Sequence, residues 1–399
     1  MKKVVIVGSG FGGLVSCINI DNKKNKIILL EKDNDIGKKI LVTGNGKCNF
    51  WNEDMSNKHF HSDEEQLINS ILTDKAKMSA FSFIDTLNIE YKVKNGYYYP
   101  FSNNASTIRN TFIYELNKKN VEVRINYEVK SIKKIDSHFL INDDIICDMI
   151  ILSTGGKSYT ANENSYIYDI LRSFGHEIIK PLPSLVQLLS DIKYKKYWHG
   201  IRTDAEVLLK IDNRNIKKEK GEIQLTDKGI SGICVFNISR EASIAIDKNK
   251  KVEVLINFIP FCKDAKKYII ERVDKLRNVS IYDNLCRVLN NKIVDIIFEE
   301  SRLKKNIYSL SDNELDRICS NLISFKVNIT STMPFISSQV TRGGVSLKDL
   351  NIKSFESKKV NNMYIIGELT DVDGDCGGYN IAYAIISSLI AVGDINDKS

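Results

Sequence analysis

A run of small residues near the N-terminus has the spacing of a backbone anion site. Gly8, Gly10 and Gly13 form the pattern G-x-G-x-x-G, with Phe11 and Gly12 inside it. Glycine adopts backbone angles closed to other residues and lets another molecule approach the main chain. A helix that begins at such a turn directs its free N–H groups and its positive dipole end towards a phosphate. The pattern therefore predicts a pyrophosphate cradle.

The flanking sequence predicts the elements that such a cradle needs. Residues 2–7 indicate a buried strand, residues 14–19 a small-residue helix, and residues 26–31 a second strand that ends at Glu31. This β-α-β context makes the glycine pattern a dinucleotide fingerprint. A carboxylate at the end of the second strand can accept both ribose hydroxyls of an adenosine. Glu31, with Lys32 beside it, therefore predicts FAD or NAD rather than NADP, and these residues do not choose between the two.

Three further segments could bring backbone to the same ligand. Residues 38–49 (KKILVTGNGKCN) contain cations, two glycines and a thiol, and residues 152–156 (LSTGG) take a strand into a glycine turn. Residues 367–380 (GELTDVDGDCGGYN) place Glu368 at a strand end and a glycine turn before a helix. Their alternating aspartates do not form an EF-hand, because the glutamate that closes such a loop is absent. No metal site is predicted.

Composition excludes several other classes of protein. The 399 residues are 43% hydrophobic and 27% charged, which is typical of a folded soluble protein of two or three domains. No apolar run approaches the roughly 20 residues that cross a bilayer, and none resembles a signal peptide, so we expect a cytoplasmic protein without membrane contacts. The eight cysteines include no CxxC pair, which argues against a zinc centre. A net charge of +7 spread along the chain does not predict a nucleic-acid partner.

The pattern of the chain changes in its middle. Residues 184–258 alternate in short apolar stretches and indicate a small β-domain. Residues 262–325 contain neither glycine nor proline and have helical periodicity. Ser311 and Glu314 have the spacing of a capping box, which predicts a helix that continues to Phe325.

Six segments together resemble one known family. They are GSGFGG, KKILVTGNGKCNF, YPFSNNAS, GEIQLTDKGISG, QVTRGGVSL and GELTDVDGDCGGYN. They are similar to the BaiN/YhiN-like NAD(P)/FAD-dependent oxidoreductases, also described as aminoacetone-oxidase-like flavoproteins. The resemblance implies an α/β fold, in which an FAD-binding Rossmann-like domain of the glutathione-reductase type (1–185 and 335–399) is interrupted. The interruption would be a β-barrel-like domain (186–261 and 326–334) that carries a helical insert (262–325).

The resemblance also implies which residues hold a tightly bound FAD. Gly8 to Gly13 would bind its pyrophosphate, Glu31 its adenosine ribose and Val129 its adenine, through the backbone. Glu368 would bind a ribityl hydroxyl, and residues 377–381 would present helix N–H groups to the pyrimidine edge of the flavin. The full set of candidate cofactor-binding residues is Gly8, Gly10, Phe11, Gly12, Gly13, Glu31, Lys32, Lys39, Thr43, Gly44, Gly46, Cys48, Asn49, Val129, Thr154, Gly155, Gly156, Gly367, Glu368, Asp375, Gly377, Gly378, Tyr379, Asn380 and Ile381.

The expected function is an FAD-dependent oxidoreductase that moves hydride between FAD and either NAD(P)H or a small organic substrate, with NAD(P)H binding transiently. No side chain stands out as a catalytic acid or base, and His199, beside Trp198, is the histidine we would test. Two alternatives stay open. One is a flavin-linked thiol/disulfide reductase that uses Cys48, with Cys376 as the second thiol. The other is a non-catalytic FAD-binding or RNA-associated protein. Substrate and oligomeric state are not predicted.

Overall fold

The computed structural model describes residues 1–159 and 166–399. They form two compact units, one of Met1–Leu182 with Gln339–Ser399 and one of Pro183–Ser338. We call them unit 1 and unit 2. Each unit has its own buried apolar core.

The strands and helices follow one another along the chain with these bounds. The strands are β1 (Lys2–Val7), β2 (Asn25–Leu30), β3 (Trp51–Asn52), β4 (Phe60–His61), β5 (Tyr91–Lys94), β6 (Tyr97–Pro100), β7 (Val121–Arg124), β8 (Ile132–Ile135), β9 (His138–Ile141), β10 (Ile145–Cys147), β11 (Met149–Leu152), β12 (Ile178–Ser184), β13 (Leu188–Ser190), β14 (Arg202–Ile211), β15 (Arg214–Leu225), β16 (Gly229–Ser231), β17 (Val252–Asn257), β18 (Phe325–Thr332), β19 (Val340–Val345), β20 (Leu350–Asn351), β21 (Glu356–Ser357), β22 (Met363–Ile365) and β23 (Asp373–Gly374). The helices are α1 (Phe11–Asn19), α2 (Lys38–Val42), α3 (Glu65–Ile71), α4 (Asp74–Thr86), α5 (Ala105–Asn117), α6 (Tyr166–Ser173), α7 (Lys195–Trp198), α8 (Ile233–Asp247), α9 (Ala265–Lys275), α10 (Ile281–Cys286), α11 (Asn291–Ser301), α12 (Asp312–Ile323) and α13 (Tyr379–Lys398).

The main sheet of unit 1 is parallel at its centre. Within the described part of this unit seven strands join in the order β20-β21-β22-β11-β1-β2-β7, and the pairs from β22 to β7 are parallel. Parallel strands covered on both faces consist of nearly unbroken apolar residues, which is the pattern of β1, β2 and β11. Their carboxyl ends meet at one edge, where ligands of open α/β sheets bind. At this edge β1 leads into Gly8, β2 into Glu31, β11 into Ser153 and β22 towards Gly367.

Unit 2 contains the predicted barrel. Residues 183–338 are all described, and six strands close in the order β13-β16-β15-β14-β17-β18. The α/β fold class with a barrel is therefore confirmed. The predicted capping box at Ser311 and Glu314 is present, but α12 ends at Ile323, and the prediction of a helix through Phe325 was wrong. Phe325 begins β18, where buried and exposed residues alternate and pair with β17.

Helix α8 was not predicted, because the apolar runs of residues 184–258 were taken together as strands. It packs against the barrel strands and buries residues such as Val235, Ile238 and Ala242. Among the described residues no helix is both long enough and apolar enough to cross a membrane.

Candidate cofactor site

The glycines of the first turn have different steric roles. Gly8 has a φ of +98°, and a Cβ added there would lie 2.7 Å from the carbonyl oxygen of Ser153. A Cβ on Gly13 would lie 1.9 Å from the carbonyl oxygen of Gly8, and one on Gly12 would lie 3.3 Å from a neighbouring isoleucine. Around Gly10, by contrast, no described heavy atom lies within 4 Å of an added Cβ. Backbone atoms of the protein therefore occupy the space beside Gly8 and Gly13, whereas the space beside Gly10 is open.

Helix α1 begins beside that space. Gly10 is its N-cap, so no side chain accepts a hydrogen bond from the first N–H groups, and the first turn of the helix contains no acidic residue. The first N–H groups of a helix lack partners within the helix, so they are available to an anion. The Phe11 ring packs edge-on against Phe112, with ring centroids 5.6 Å apart, which anchors the start of the helix.

Glu31 is buried at the end of β2 and is held from two sides. Its Oε2 accepts hydrogen bonds from the Ser9 N–H at 2.9 Å and from the Ser9 hydroxyl at 2.5 Å. Its Oε1 accepts from the Asp33 N–H at 2.9 Å. The carboxylate is therefore fixed next to the first glycine turn, where a ribose hydroxyl could share its oxygens.

A cleft of about 700 Å³ lies next to this strand end. Lys32 lines it together with residues 126–128 and 130–131. The Tyr127 N–H donates to the Glu31 carbonyl oxygen at 2.8 Å, which holds that segment beside β2. Val129 lies in the same segment and is buried. The cleft lies beside the strand end at which the sequence predicts the adenosine, and binding of adenosine there stays a prediction.

Glu368 is the centre of a half-buried polar network after the end of β22. Its Oε1 accepts from the Ser158 hydroxyl at 2.7 Å and the Thr341 N–H at 2.9 Å, and its Oε2 accepts from the Lys39 ammonium at 2.5 Å. Burial alone would raise the pKa of Glu368, but the charge of Lys39 and the three hydrogen bonds outweigh it, so the pKa is lowered. The carboxylate is ionised and paired.

The turn after β11 lies against this network. A Cβ on Gly156 would lie 2.4 Å from the Thr341 hydroxyl, and one on Gly155, whose φ is +71°, would lie 3.7 Å from the Lys39 Nζ atom. Thr154 before them is exposed. Gly156 thus permits packing, and Gly155 exposes backbone beside the Lys39–Glu368 pair.

The loop after α2 contains a buried acceptor without a partner. Gly44 and Gly46 have positive φ, as does Cys48, whose N–H donates to the carbonyl oxygen of Thr43 at 3.0 Å. The Oδ1 atom of Asn49 is buried and accepts no hydrogen bond from the described residues. An unsatisfied buried acceptor costs about 1–3 kcal/mol, so this atom fits a hydroxyl or N–H group supplied by a ligand.

In the glycine turn before α13, other residues of the protein occupy the space that a side chain would need, in contrast to Gly10. Gly378 is the N-cap of α13 with a φ of +92°, and a Cβ there would lie 2.6 Å from the Trp51 nitrogen. A Cβ on Gly377 would lie 2.8 Å from the Tyr97 ring. No side chain caps α13, and its first turn contains no acidic residue. The free N–H groups of Tyr379 and its neighbours therefore suit a ligand that gains negative charge.

The other predicted residues of this segment have structural partners. The Asn380 side chain accepts from the Gly374 N–H at 2.8 Å and donates to the Gly374 carbonyl oxygen at 2.9 Å. The Gly367 N–H donates to the Ser387 hydroxyl at 3.1 Å. Ile381 is half-buried on α13. Contacts of these residues with a cofactor stay predictions.

Asp375 is held by two histidines that the sequence did not single out. The carboxylate lies 2.9 Å from His59 Nδ1 and 3.0 Å from His61 Nε2. Ser9, Ser158 and Thr341 were also not predicted as site residues from the sequence, although Ser9 lies in the segment GSGFGG and Thr341 in the segment QVTRGGVSL. His199, the histidine chosen from the sequence, is exposed in unit 2.

The thiols have little nucleophilic character. Burial raises the pKa of Cys48 to about 12, and burial followed by the nearby Asp375 charge raises that of Cys376 to about 11. A thiol reacts as its thiolate, and no disulfide joins cysteines of the described residues. This environment does not favour the thiol/disulfide alternative.

The residues present fit FAD. Gly10 leaves room for a pyrophosphate, Asn49 leaves an acceptor unsatisfied, and a cleft opens beside Glu31. Helices α1 and α13 both begin without a capping side chain. These are the features that a long dianionic dinucleotide requires.

The sheet and its glycine turns define a Rossmann-type nucleotide-binding protein. The chain belongs to the family described as "HI0933-like protein Rossmann domain", which matches residues 2–394. This confirms the resemblance to the BaiN/YhiN-like flavoproteins, and with it the class of FAD-dependent oxidoreductase enzymes.

Known proteins are similar to this chain over nearly its whole length. A 3-dehydro-bile acid delta(4,6)-reductase of Clostridium scindens is 30% identical over 98% of this chain and 98% of that protein. A ribosomal RNA dihydrouridine synthase of Escherichia coli is 25% identical over 98% of this chain and 97% of that protein. The solved 3-ketosteroid delta1-dehydrogenase of Sterolibacterium denitrificans matches 100% of both chains at 10% identity with a TM-score of 0.51, which is a likeness of fold alone.

Proposed function

We propose that the protein uses FAD to reduce a carbon–carbon double bond conjugated to a carbonyl group, with NAD(P)H as a transient reductant. A chemical feature common to two relatives supports this substrate class. A 3-dehydro bile acid with delta(4,6) unsaturation has double bonds in conjugation with its ketone, and dihydrouridine is uridine reduced at the double bond conjugated to its carbonyl. The shared element is an enone.

The reaction adds a hydride equivalent to the β carbon and a proton to the α carbon, while NAD(P)H becomes NAD(P)⁺. FAD, when bound, carries the hydride equivalent between the two partners. Gly10 and the start of α1 would hold its pyrophosphate, and Glu31 its ribose. The N-terminus of α13, with Tyr379, would direct N–H groups at the flavin edge that becomes negative on reduction.

The test is an anaerobic spectroscopic titration of purified protein. FAD bound to the protein is reduced with NADH or NADPH and then mixed with enones, such as a 4-ene-3-oxo steroid or cyclohexenone. The matched control for each enone is its saturated ketone. We expect the oxidised flavin spectrum to return only with the enone, and the product to gain two hydrogens by mass spectrometry. Reoxidation by quinones or oxygen alone would refute the substrate class.

A second candidate is reduction of a uracil base within RNA, and the charge distribution favours it. Residues 183–338 contain 27 Lys and Arg against 20 Asp and Glu, which equals the whole net charge of +7. Some of these cations lie on tyrosine rings. The Lys193 ammonium is 4.5 Å from the centre of the Tyr194 ring, and that of Lys305 is 4.6 Å from that of Tyr282. Both ammonium groups are exposed and also pair with carboxylates of α11. Exposed cations can neutralise phosphates of RNA.

Binding to a short uridine-rich RNA at several salt concentrations distinguishes this candidate. We expect affinity to fall steeply with salt, and the double variant Lys193→Glu and Lys305→Glu to bind several-fold more weakly. Lys24→Glu, an exposed lysine of unit 1, is the control and should bind like the unsubstituted protein. Binding that is absent at physiological salt, or independent of salt, would exclude RNA as the substrate.

A further inference from the structure

The segment His59–Asp63, which we call the strap, is joined to the turn that precedes α13. Strand β4 pairs with β23 in antiparallel register, with His61 opposite Asp373 and Phe60 opposite Gly374. The Asp375 N–H then donates to the His59 carbonyl oxygen at 2.9 Å. The backbone of the strap therefore fixes the start of the glycine turn.

Side chains hold the strap at both of its ends. Each oxygen of the Asp375 carboxylate faces one imidazole, from His59 at 2.9 Å and from His61 at 3.0 Å. At the other end Asp371 Oδ2 accepts from the Ser62 hydroxyl at 3.0 Å and the Asp63 N–H at 2.8 Å. Two of the three alternating aspartates, Asp371 and Asp375, thus hold the strap through their side chains.

The strap also reaches the first residue of α13. The His59 ring stacks on the Tyr379 ring, with centroids 4.6 Å apart and planes 18° apart. The Asn380 side chain is bonded to the Gly374 backbone in both directions. Movement of the His59 ring would therefore move the N–H groups that the proposed function assigns to the flavin edge.

The hydrogen bonds of His59 require a charged ring. Its Nδ1 faces Asp375, and its Nε2 lies 3.1 Å from the Asp54 carboxylate. A neutral imidazole has only one N–H, so both bonds form only in the imidazolium. The hydrogen bond to Asp375 raises the pKa of His59, burial lowers it, and Asp54 raises it further, with a net increase. The titratable and charged groups around this ring are Asp54, Lys58, His61, Tyr97, Asp375, Cys376 and Tyr379.

We infer that His59 forms a protonation-dependent clamp on Asp375, with His61 as a second hydrogen-bond partner of that carboxylate, and that the clamp positions the Gly374–Asn380 turn for FAD. This inference rests on the cofactor site of the proposed function. The two histidines are positioning residues. The clamp is complete at pH values below the ordinary histidine pKa of 6.5 and is lost as pH rises through the raised pKa of His59. Because linkage is reciprocal, FAD binding then takes up a proton.

The test is the pH dependence of FAD affinity in FAD-depleted protein, measured by flavin fluorescence. For the unsubstituted protein we expect Kd to rise by up to about tenfold per pH unit on the alkaline side, the limit for one linked proton. The double variant His59→Gln and His61→Gln should bind more weakly at low pH and lose the slope. His138→Gln is the matched control, because His138 is an exposed residue of β9 that pairs with Asp148 at 3.2 Å, and this variant should keep the slope.

Calorimetry of the unsubstituted protein, in two buffers of different ionisation enthalpy, gives a second readout that needs no variant. The titrations are made on the alkaline side, where the Kd for FAD rises with pH, and there we expect a net uptake of up to one proton per FAD bound. FAD binding without proton uptake, or a slope that persists in the double variant, would overturn the clamp and leave the cofactor site intact. Absence of FAD binding at every pH would instead overturn the proposed function, and the clamp with it.

Discussion

A substitution at Gly10 should weaken the binding of FAD much more than it lowers the stability of the fold. An alanine at this position places its Cβ where no described heavy atom lies within 4 Å. The backbone there is extended, with φ −70° and ψ −172°, which alanine also adopts. Because Gly10 is the N-cap of α1, where alanine is a poorer residue, we expect Gly10→Ala to lower the free energy of unfolding of FAD-free protein by only about 0.5–1 kcal/mol.

The effect on FAD should be larger. A phosphate oxygen bonded to a helix N–H lies about 2.9 Å from the nitrogen, whereas a methyl carbon keeps an oxygen at about 3.4 Å. The added methyl would displace the phosphate and remove one charge-assisted hydrogen bond, which contributes about 1.5–3 kcal/mol. Kd for FAD should therefore increase roughly 10- to 150-fold.

The assay combines calorimetric titration with FAD and urea unfolding of FAD-free protein. Gly393→Ala is the matched control, because Gly393 also has open space around an added Cβ but lies within α13. It should bind FAD normally and gain up to about 1 kcal/mol from helix propensity. If Gly10→Ala binds FAD as tightly as the unsubstituted protein, the phosphates do not contact this turn and the assignment of the cradle is wrong.

Three further substitutions test the packing and electrostatics of the structure. Lys39→Met leaves the half-buried Glu368 carboxylate without its cation, so the pKa of Glu368 should rise and the free energy of unfolding in urea should fall by about 1–3 kcal/mol, whereas Lys39→Arg should lose less. Burial raises the pKa of Asp371 to about 6 from 3.8, so its ionisation destabilises the native state as pH rises through that window. Asp371→Asn should remove this pH dependence and stabilise the protein at about pH 8, as measured by urea unfolding. Ser311→Ala removes the capping box of α12 and should lower the free energy of unfolding by about 1 kcal/mol in the same assay.

For each of these three substitutions, one result would contradict the contacts described above. An unchanged stability of Lys39→Met would mean that its ammonium does not reach Glu368. A stability of Asp371→Asn that still falls between about pH 4 and pH 6 would place the titrating group elsewhere. Equal stability of Ser311→Ala and Ser324→Ala, an exposed control at the other end of α12, would mean that the capping box contributes nothing.

The sequence predicted those features that local chemistry determines. Strands β1 and β2 are short apolar runs. The turn after β1 needs glycine at Gly8, and the first turn of α1 needs it at Gly13, in both cases for steric reasons. The capping box of α12 is also local. The predicted end of α12 was wrong. Phe325 follows a helical segment in the sequence, but it pairs with a residue of β17, which lies far away along the chain.

The partners within the site could not be predicted, because they are set by topology. Lys39 and Glu368 are 329 residues apart, and His59 and Asp375 are 316 residues apart. No spacing rule relates such residues. They meet because parallel strands bring the ends of β1, β2, β11 and β22 to one edge, and because β4 pairs with β23.

In the two glycine-rich turns, glycine is needed for two different physical reasons. At Gly377 and Gly378 the space of a side chain is already taken by Tyr97 and Trp51, so these glycines are explained by packing without any ligand. At Gly10 that space is open, and packing does not explain the residue. A motif therefore supports ligand binding only at positions where a Cβ would meet no protein. By this criterion Gly10 is the strongest reason within the first turn to place a pyrophosphate there, and the role of α13 depends on its free N–H groups rather than on its glycines.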